Sequence, residues 1–152
     1  MQYFFLLKLW IFVKKIDPTN ALGQYEKGRL CVRGYEQIPG VDFTESFSPV
    51  ATDSTVMTFW AMSLYYRKHH DDWANEMVDI ETAFLNADLE EEVYIQIPEG
   101  LEYMTNLHGE TYDPETQVLK LRKAMYGLVQ APRAWMKTFV KILKHMGLKQ
   151  CR

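Results

Sequence analysis

Between Pro132 and Gly147 the apolar residues Trp135, Phe139, Ile142, Leu143 and Met146 fall at i, i+4, i+7, i+8 and i+11. That spacing fits a helix with one apolar stripe. Pro132 suits its first turn and Gly147 its C-terminal cap. A stripe of this kind must be covered, so the chain needs a second layer to pack on it. Lys137, Lys141 and Lys144 are predicted to lie off the stripe.

The second layer reads as short strands. Leu9 to Lys15 is rich in Trp, Phe, Ile and Val and ends at the Asp17-Pro18-Thr19-Asn20 turn. A return strand runs Gly28 to Gly34, with Leu30 and Val32 on one face and Arg29, Cys31 and Arg33 on the other. The two make a basic hairpin. Val93, Ile95 and Ile97 alternate with polar residues as a half-buried strand, and Val118 to Leu121 is another. Glu76 to Ile80 reads as a short apolar strand carrying Asp79, followed by a tight turn over Glu81 to Asn86. Glu90, Glu91 and Glu92 read as solvated turn charge. Residues 41–50 form an ordered loop anchored by Phe43 and Phe47, and 99–116 a polar loop.

A further helix opens near Thr52, Asp53 or Ser54, all good N-caps. Val56, Met57, Trp60, Ala61, Leu64 and Tyr65 recur along it, and His69-His70-Asp71-Asp72 closes it. Adjacent histidines point apart on a helix, so this is a polar helix end rather than a metal pair. Strands and helices that mix without strict alternation predict an α+β domain with a mostly antiparallel sheet.

The 152 residues, 47% hydrophobic and 24% charged, fit one globular domain. Two cysteines, Cys31 and Cys151, exclude a disulfide scaffold, and no Cys/His cluster has zinc spacing. The apolar run Tyr3 to Val13 is broken by Lys8 and falls short of the ~20 residues a spanning helix needs. Its positive charge follows the run instead of preceding it, unlike a signal peptide. A membrane anchor is the minor reading. The expected compartment is intracellular, with reduced thiols.

The net charge of -3 hides a segregation: +3 over residues 1–41, -15 over 42–116 and +9 over 118–152. Two basic ends around an acidic middle suit either a basic cleft floored by a carboxylate or simple solvated lysine faces. Charge alone favours the lysine faces.

Asp79 inside an apolar strand is the notable carboxylate. Burial is costly for it unless it is paired or binds a cation. It either caps the following turn or holds a divalent metal on a phosphate that the turn's N–H groups face.

Four ordered blocks bear on the choice. Residues 25–35 (YEKGRLCVRGY), 41–50 (VDFTESFSPV), 79–98 (DIETAFLNADLEEEVYIQIP) and 121–135 (LRKAMYGLVQAPRAW) resemble the reverse transcriptase of copia-type LTR retrotransposons. The resemblance implies the fingers and partial palm of a right-hand polymerase, truncated. Residues 1–152 then form a single partial domain, with the fingers hairpin and loop over about 9–50 and palm elements over about 51–152.

By the same resemblance Asp79 is the first catalytic, metal-binding aspartate, helped by the backbone carbonyl of Ile80. Phe84 lies under the sugar and excludes a 2′-hydroxyl, and Ala83 offers its N–H to the triphosphate. Lys27, Arg29, Tyr126 and Gly127 complete the nucleotide-binding set. Arg33, Gln130, Arg133, Lys137 and Lys141 lie toward nucleic acid, and Gln130 and Pro132 match the start of the family's helix. The implied chemistry is two-metal nucleotidyl transfer with Mg2+ or Mn2+.

Implied partners are an RNA or DNA template-primer, deoxynucleoside triphosphates and the remainder of a pol polyprotein, with no membrane. The implied location is cytoplasmic, in a virus-like particle, or nuclear. Gly28, Ala87 and Val129 stand where the family usually has Ala, Gly and Lys. Residues 1–8 match no family segment. The family's Tyr-x-Asp-Asp turn does not occur in the 152 residues. The expectation is therefore weak or absent metal binding, no polymerisation by this chain alone, and an open apolar sheet edge that favours self-association. The alternative function is a non-catalytic nucleic-acid-binding remnant.

Overall fold

The computed structural model describes residues 6–16, 23–70, 74–105 and 109–149. The expected turn at 17–20, Asp71 and Asp72 of the helix end, and Cys151 lie outside them. The architecture is α+β: β1 (Lys8–Ile16), β2 (Gln24–Val32), α1 (Asp53–His69), β3 (Asp88–Gln96), β4 (Val118–Lys123) and α2 (Ala131–His145). β1 pairs antiparallel with β2, and β3 antiparallel with β4, as two separate two-stranded sheets. The chain divides into a larger unit, residues 1–47 with 83–152, and a smaller one, Ser48–Thr82.

In the larger unit the core gathers where four segments end against one another. Leu6 and Val32 come from the base of the hairpin, Val93 and Ile95 from β3, Ala124 and Leu128 from the turn after β4, and Ala131 from the start of α2. Leu6 bridges to β3 in parallel, its N–H donating to the Tyr94 carbonyl over 3.1 Å. Small residues let the backbones close up: the Ala124 N–H reaches the Ala87 carbonyl over 2.8 Å, and both side chains are fully buried. Ala87 therefore fills the core with its methyl group.

The hairpin forms as expected, one residue longer at each end of β1 and shifted toward the N-terminus in β2. Gly34 belongs to a short 3-10 turn, Gly34–Glu36, instead of the strand. The acidic triplet is a correction. Glu90, Glu91 and Glu92 lie within β3, not in a turn. Lysines of β4 and α2 compensate them (Lys120 with Glu92, Lys137 with Glu90), so the strand continues through the charge. An irregularity lies between the Asp88↔Lys123 and Val93↔Leu121 pairs, where β3 advances five residues and β4 two.

α2 starts at Ala131, one residue before Pro132, and ends in a Schellman cap. Gly147, at φ 85°, donates to the Lys144 carbonyl, and Leu148 donates to that of Leu143, each over 3.0 Å. The apolar stripe is only half covered. Ala131, Ala134 and Trp135 pack on the core, whereas Ile142 and Met146 are exposed. A helix of 15 residues spans about 22 Å, and its contacts with the core come from the first turns.

In the smaller unit the Thr52 hydroxyl caps α1 by accepting from the Thr55 N–H over 3.3 Å. Arg67, Lys68 and His69 occupy its last turn, where cations favour the helix dipole. The expected strand over Glu76 to Ile80 is not formed, and residues 74–80 have no regular structure. A strand needs a ladder partner for its N–H and C=O groups, and no described strand pairs with this segment. Ser63, buried, donates to the Asn75 side chain over 2.9 Å and ties the segment to α1.

Candidate functional site

Three residues expected around a nucleotide come together in the larger unit. Phe84 sits in the 3-10 turn Ala83–Asn86, half-buried against the core. Its ring meets Tyr126 edge to face, with centroids 5.3 Å apart and planes at 66°. The Arg29 guanidinium carbon lies 5.5 Å from the Tyr126 ring centroid. A cation on an aromatic face is attracted by the ring quadrupole, and the planar guanidinium stacks well there. Ala83 is half-buried, and Thr82 just before it takes φ 50°, a left-handed backbone uncommon for a β-branched residue.

Backbone contacts fix Tyr126 in place. The Val32 N–H donates to the Tyr126 carbonyl over 2.8 Å. Gly127 follows at φ 93°, so close to Val32 that a side chain there would overlap the Val32 carbonyl. A side chain on Gly34 would in turn overlap the Gly127 carbonyl. The end of β2 and the Tyr126-Gly127 turn are thus pressed backbone to backbone, which sets Arg29 at a defined height over the ring. Lys27 lies two residues before Arg29 on the same face of β2, exposed.

Of the basic residues expected to face nucleic acid, Arg33, Arg133 and Lys137 are already partnered within the protein. Arg33 pairs with Glu36 over 3.4 Å. Arg133 pairs with Glu45, and Lys137 with Glu90 over 2.5 Å. Lys123 pairs with Asp88 over 2.7 Å, and Lys120 with Glu92. Each lysine holds its carboxyl below the usual range, mainly by hydrogen bonding: Lys123 for Asp88, Lys137 for Glu90 and Lys120 for Glu92. Lys141, exposed on α2, adds a weaker through-space pull on Asp88 and Glu90. The hydrogen bond to Glu92 raises the Lys120 amine.

Gln130 is 2% exposed, and its amide is spent inside the protein. Its Nε2 donates to the Asp42 carbonyl over 3.1 Å, and its Oε1 accepts from Gln37 Nε2 over 3.0 Å. Gln37 Oε1 accepts from the Val129 N–H over 2.8 Å. This network, with Asp42 accepting from the Ile38 N–H over 2.7 Å, closes the 37–43 loop onto the start of α2. Sequence reading missed Gln37, Asp42 and Glu45, which no local pattern marks.

Asp79 and Ile80 lie in the smaller unit, in the segment without regular structure, and Asp79 is exposed. It is not the buried strand carboxylate that its apolar neighbours suggested: Met77 and Val78 beside it are 86% and 78% exposed. Without a sheet to bury the segment, the carboxylate keeps its water. Among the described residues no group of three His, Cys, Asp or Glu side chains could hold a metal ion. One carboxylate and one carbonyl do not fit a two-metal site, which needs several oxygen ligands per ion. Among the described residues no helix is long and apolar enough to cross a membrane.

Comparison with known proteins bears on what this arrangement is for. Residues 6–152 match the sequence model of a family described as reverse transcriptase (RNA-dependent DNA polymerase). The chain is 40% identical over 135 residues to the retrovirus-related Pol polyprotein from transposon TNT 1-94 of Nicotiana tabacum, covering 89% of this chain and 9% of that protein. It is 37% identical over 126 residues to the corresponding polyprotein from transposon RE1 of Arabidopsis thaliana, covering 83% of this chain and 8% of that one. A Ty1-ER2 Gag-Pol polyprotein of Saccharomyces cerevisiae is 27% identical over 145 residues, 95% of this chain and 7% of its own length. The chain thus spans less than a tenth of these relatives. No solved structure matches it.

Proposed function

The chain belongs to the reverse transcriptase (RNA-dependent DNA polymerase) family, matching part of copia-type Pol polyproteins, and on that premise we propose that its larger unit carries the incoming-nucleotide side of a polymerase site. The β1–β2 hairpin is the fingers element, and the Ala83–Asn86 turn with the Tyr126-Gly127 turn belongs to the palm side. The observation that carries this reading is the Arg29–Tyr126–Phe84 chain of contacts, which joins three separate family blocks.

The residues divide the work by chemistry. Arg29, always charged and held over Tyr126, presents N–H donors to a triphosphate, and Lys27 adds a second cation. The Ala83 N–H is a further donor. The Phe84 ring, wedged edge-on against Tyr126, forms an unyielding floor under a sugar and leaves no room for a 2′-hydroxyl. A deoxynucleoside triphosphate is thus the favoured ligand. Family members use divalent metal in general, but Asp79 by itself does not assemble that centre. The chain alone binds nucleotide without polymerising it.

Nucleotide binding by the 152-residue chain tests the reading. Deoxythymidine triphosphate is expected to bind more tightly than uridine triphosphate, and Phe84→Val to narrow that difference. Equal binding of the two by the unaltered chain would count against Phe84 as the sugar floor. Primer extension by the purified chain, abolished by Asp79→Asn, would overturn the expected inactivity.

A further inference from the structure

Strand β4 leaves one edge of its sheet open. The direction of its backbone groups follows from those of β3. The Leu6 N–H donates to the Tyr94 carbonyl over 3.1 Å, and the Gln96 N–H donates to the Leu6 carbonyl over 3.4 Å. Tyr94 and Gln96 therefore turn their backbone groups away from β4, and the alternate residues Val93 and Ile95 turn theirs toward it. In the register Val93 faces Leu121 and Ile95 faces Leu119. Those are the pairs that exchange hydrogen bonds. The N–H and C=O groups of Val118, Lys120 and Arg122 consequently point outward along the free side of β4. Among the described residues no strand or bridge pairs with that side.

The side chains differ between the two faces of this edge. Leu119 and Leu121 pack on the core but stay half-buried, so part of the apolar layer remains open to water beside them. Alternation puts Lys120 and Arg122 on the opposite face. Glu92 takes Lys120, and Asp88 takes Lys123 over 2.7 Å. Arg122 is exposed and forms no ion pair among the described residues. Cations do blunt an exposed edge against self-association. That role explains neither the half-covered leucines nor a guanidinium left without a carboxylate.

A strand added to this edge would set one series of its residues opposite Lys120 and Arg122, and the residues between them beside Leu119 and Leu121. Acids suit the first series and apolar residues the second. A second copy of β4 fits poorly, because an antiparallel match sets Lys120 and Arg122 against the same cations. Nucleic acid would meet the cations but leave the outward carbonyls and the leucines without partners.

We propose that the free edge of β4 is a docking site for an extended segment of another protein, acidic and apolar at alternate positions, which adds as a third antiparallel strand. Main-chain bonds to Val118, Lys120 and Arg122 hold it, and charge on one face with burial on the other fixes its register.

The test uses a short capped peptide that alternates glutamate with valine, labelled for fluorescence anisotropy, and the full 152-residue chain. Two further peptides carry N-methyl groups, one on every glutamate nitrogen and the other on every valine nitrogen. With glutamates opposite Lys120 and Arg122, their N–H groups face β4 and those of the valines face away. Methylating the glutamates is expected to weaken binding roughly tenfold or more, since each ladder bond contributes about two- to tenfold. Methylating the valines should leave binding unchanged. Arg122→Glu should weaken the unmodified peptide about two- to fivefold. Val118→Pro removes an outward N–H without changing charge, at an edge position where proline is tolerated, and should weaken it as well. Circular dichroism checks that both variants remain folded. The methylated peptides need no variant at all.

The same change for both methylated peptides would overturn the docking site, because charge attraction alone has no phase. Failure of the unmodified peptide to bind would overturn it too. So would binding that neither Arg122→Glu nor Val118→Pro weakens, which would put the strand on another edge. A dimer of the unaltered chain that Val118→Pro dissolves would overturn it by assigning the edge to a second copy. Binding of a thymidylate oligonucleotide that Arg122→Glu abolishes, with the peptide unaffected, would overturn it by assigning the cations to nucleic acid.

Discussion

The side-chain amides of Gln37 and Gln130 meet inside the protein, Nε2 of the first donating to Oε1 of the second over 3.0 Å, although 93 positions separate them. Gln37 Oε1 also accepts from the Val129 N–H, and Gln130 Nε2 donates to the Asp42 carbonyl. A closed buried network of this kind is costly to open, because truncating one member leaves its partners dry and unpaired. Gln130→Ala is expected to destabilise the chain by about 1–3 kcal/mol. Urea denaturation measures it. The salt dependence of nucleic-acid binding should not change, since the Gln130 amide faces inward.

Gly127 is expected to tolerate no side chain. Its φ of 93° is unfavourable for any other residue, and a Cβ would overlap the Val32 carbonyl. Gly127→Ala combines backbone strain with overpacking, together about 2–5 kcal/mol. Thermal melts should show the loss. Gly40→Ala is a control for left-handed backbone alone, since nothing lies within 4 Å of a Cβ there.

The Arg29–Tyr126 contact is expected to matter for ligand more than for folding. Tyr126→Leu removes the ring beneath the guanidinium, a contact of about 0.5–1 kcal/mol at an exposed site. Deoxythymidine triphosphate binding should weaken about two- to fivefold. Arg29→Lys should not restore it, because an ammonium does not present the same planar fork. Titration calorimetry with the three proteins distinguishes these outcomes.

Stability should fall on the acid side through the β3 carboxylates. Asp88, Glu90 and Glu92 are held below the usual carboxyl range by Lys123, Lys137 and Lys120. A lowered folded-state value means stability that is fully present above the unfolded carboxyl range, near pH 4, and lost as pH drops through the folded values. Glu90→Gln should flatten that acid limb in a melting-temperature series against pH. The raised Lys120 amine gives the opposite limb. Its contribution holds below its unfolded value and disappears as pH rises through the higher folded one. Both limbs should shrink with added salt, because the three carboxylates and Lys120 are exposed.

Local physics carried much of the fold into the sequence. The Thr52 cap, the Gly147 Schellman turn and the β1–β2 pairing each depend on a few neighbouring residues, so their patterns were readable. The errors arose where distant residues decide. Glu90 to Glu92 resemble a turn until Lys120 and Lys137 are known to face them. Glu76 to Ile80 resembles a strand, but a ladder needs a partner that no local pattern supplies. The family blocks named Arg29, Phe84 and Tyr126 together, and the structure has them in one chain of contacts. That Arg33, Arg133 and Lys137 are tied to Glu36, Glu45 and Glu90 was not readable, because acid and base come from different segments in the pairs with Glu45 and Glu90.

Gly34 and Gly127 make a matched pair: each lies where a single methyl group would strike the chain across from it. Neither codon can drift to another amino acid while the hairpin stays seated, and a change at one has no simple compensation at the other. Related copies of such a chain can be under selection or free of it. Within such a set, these two codons would serve as a genealogical gauge. Copies that retain both glycines while synonymous sites diverge descend through lineages whose encoded protein had to fold. A copy that has lost either one dates its release from that demand.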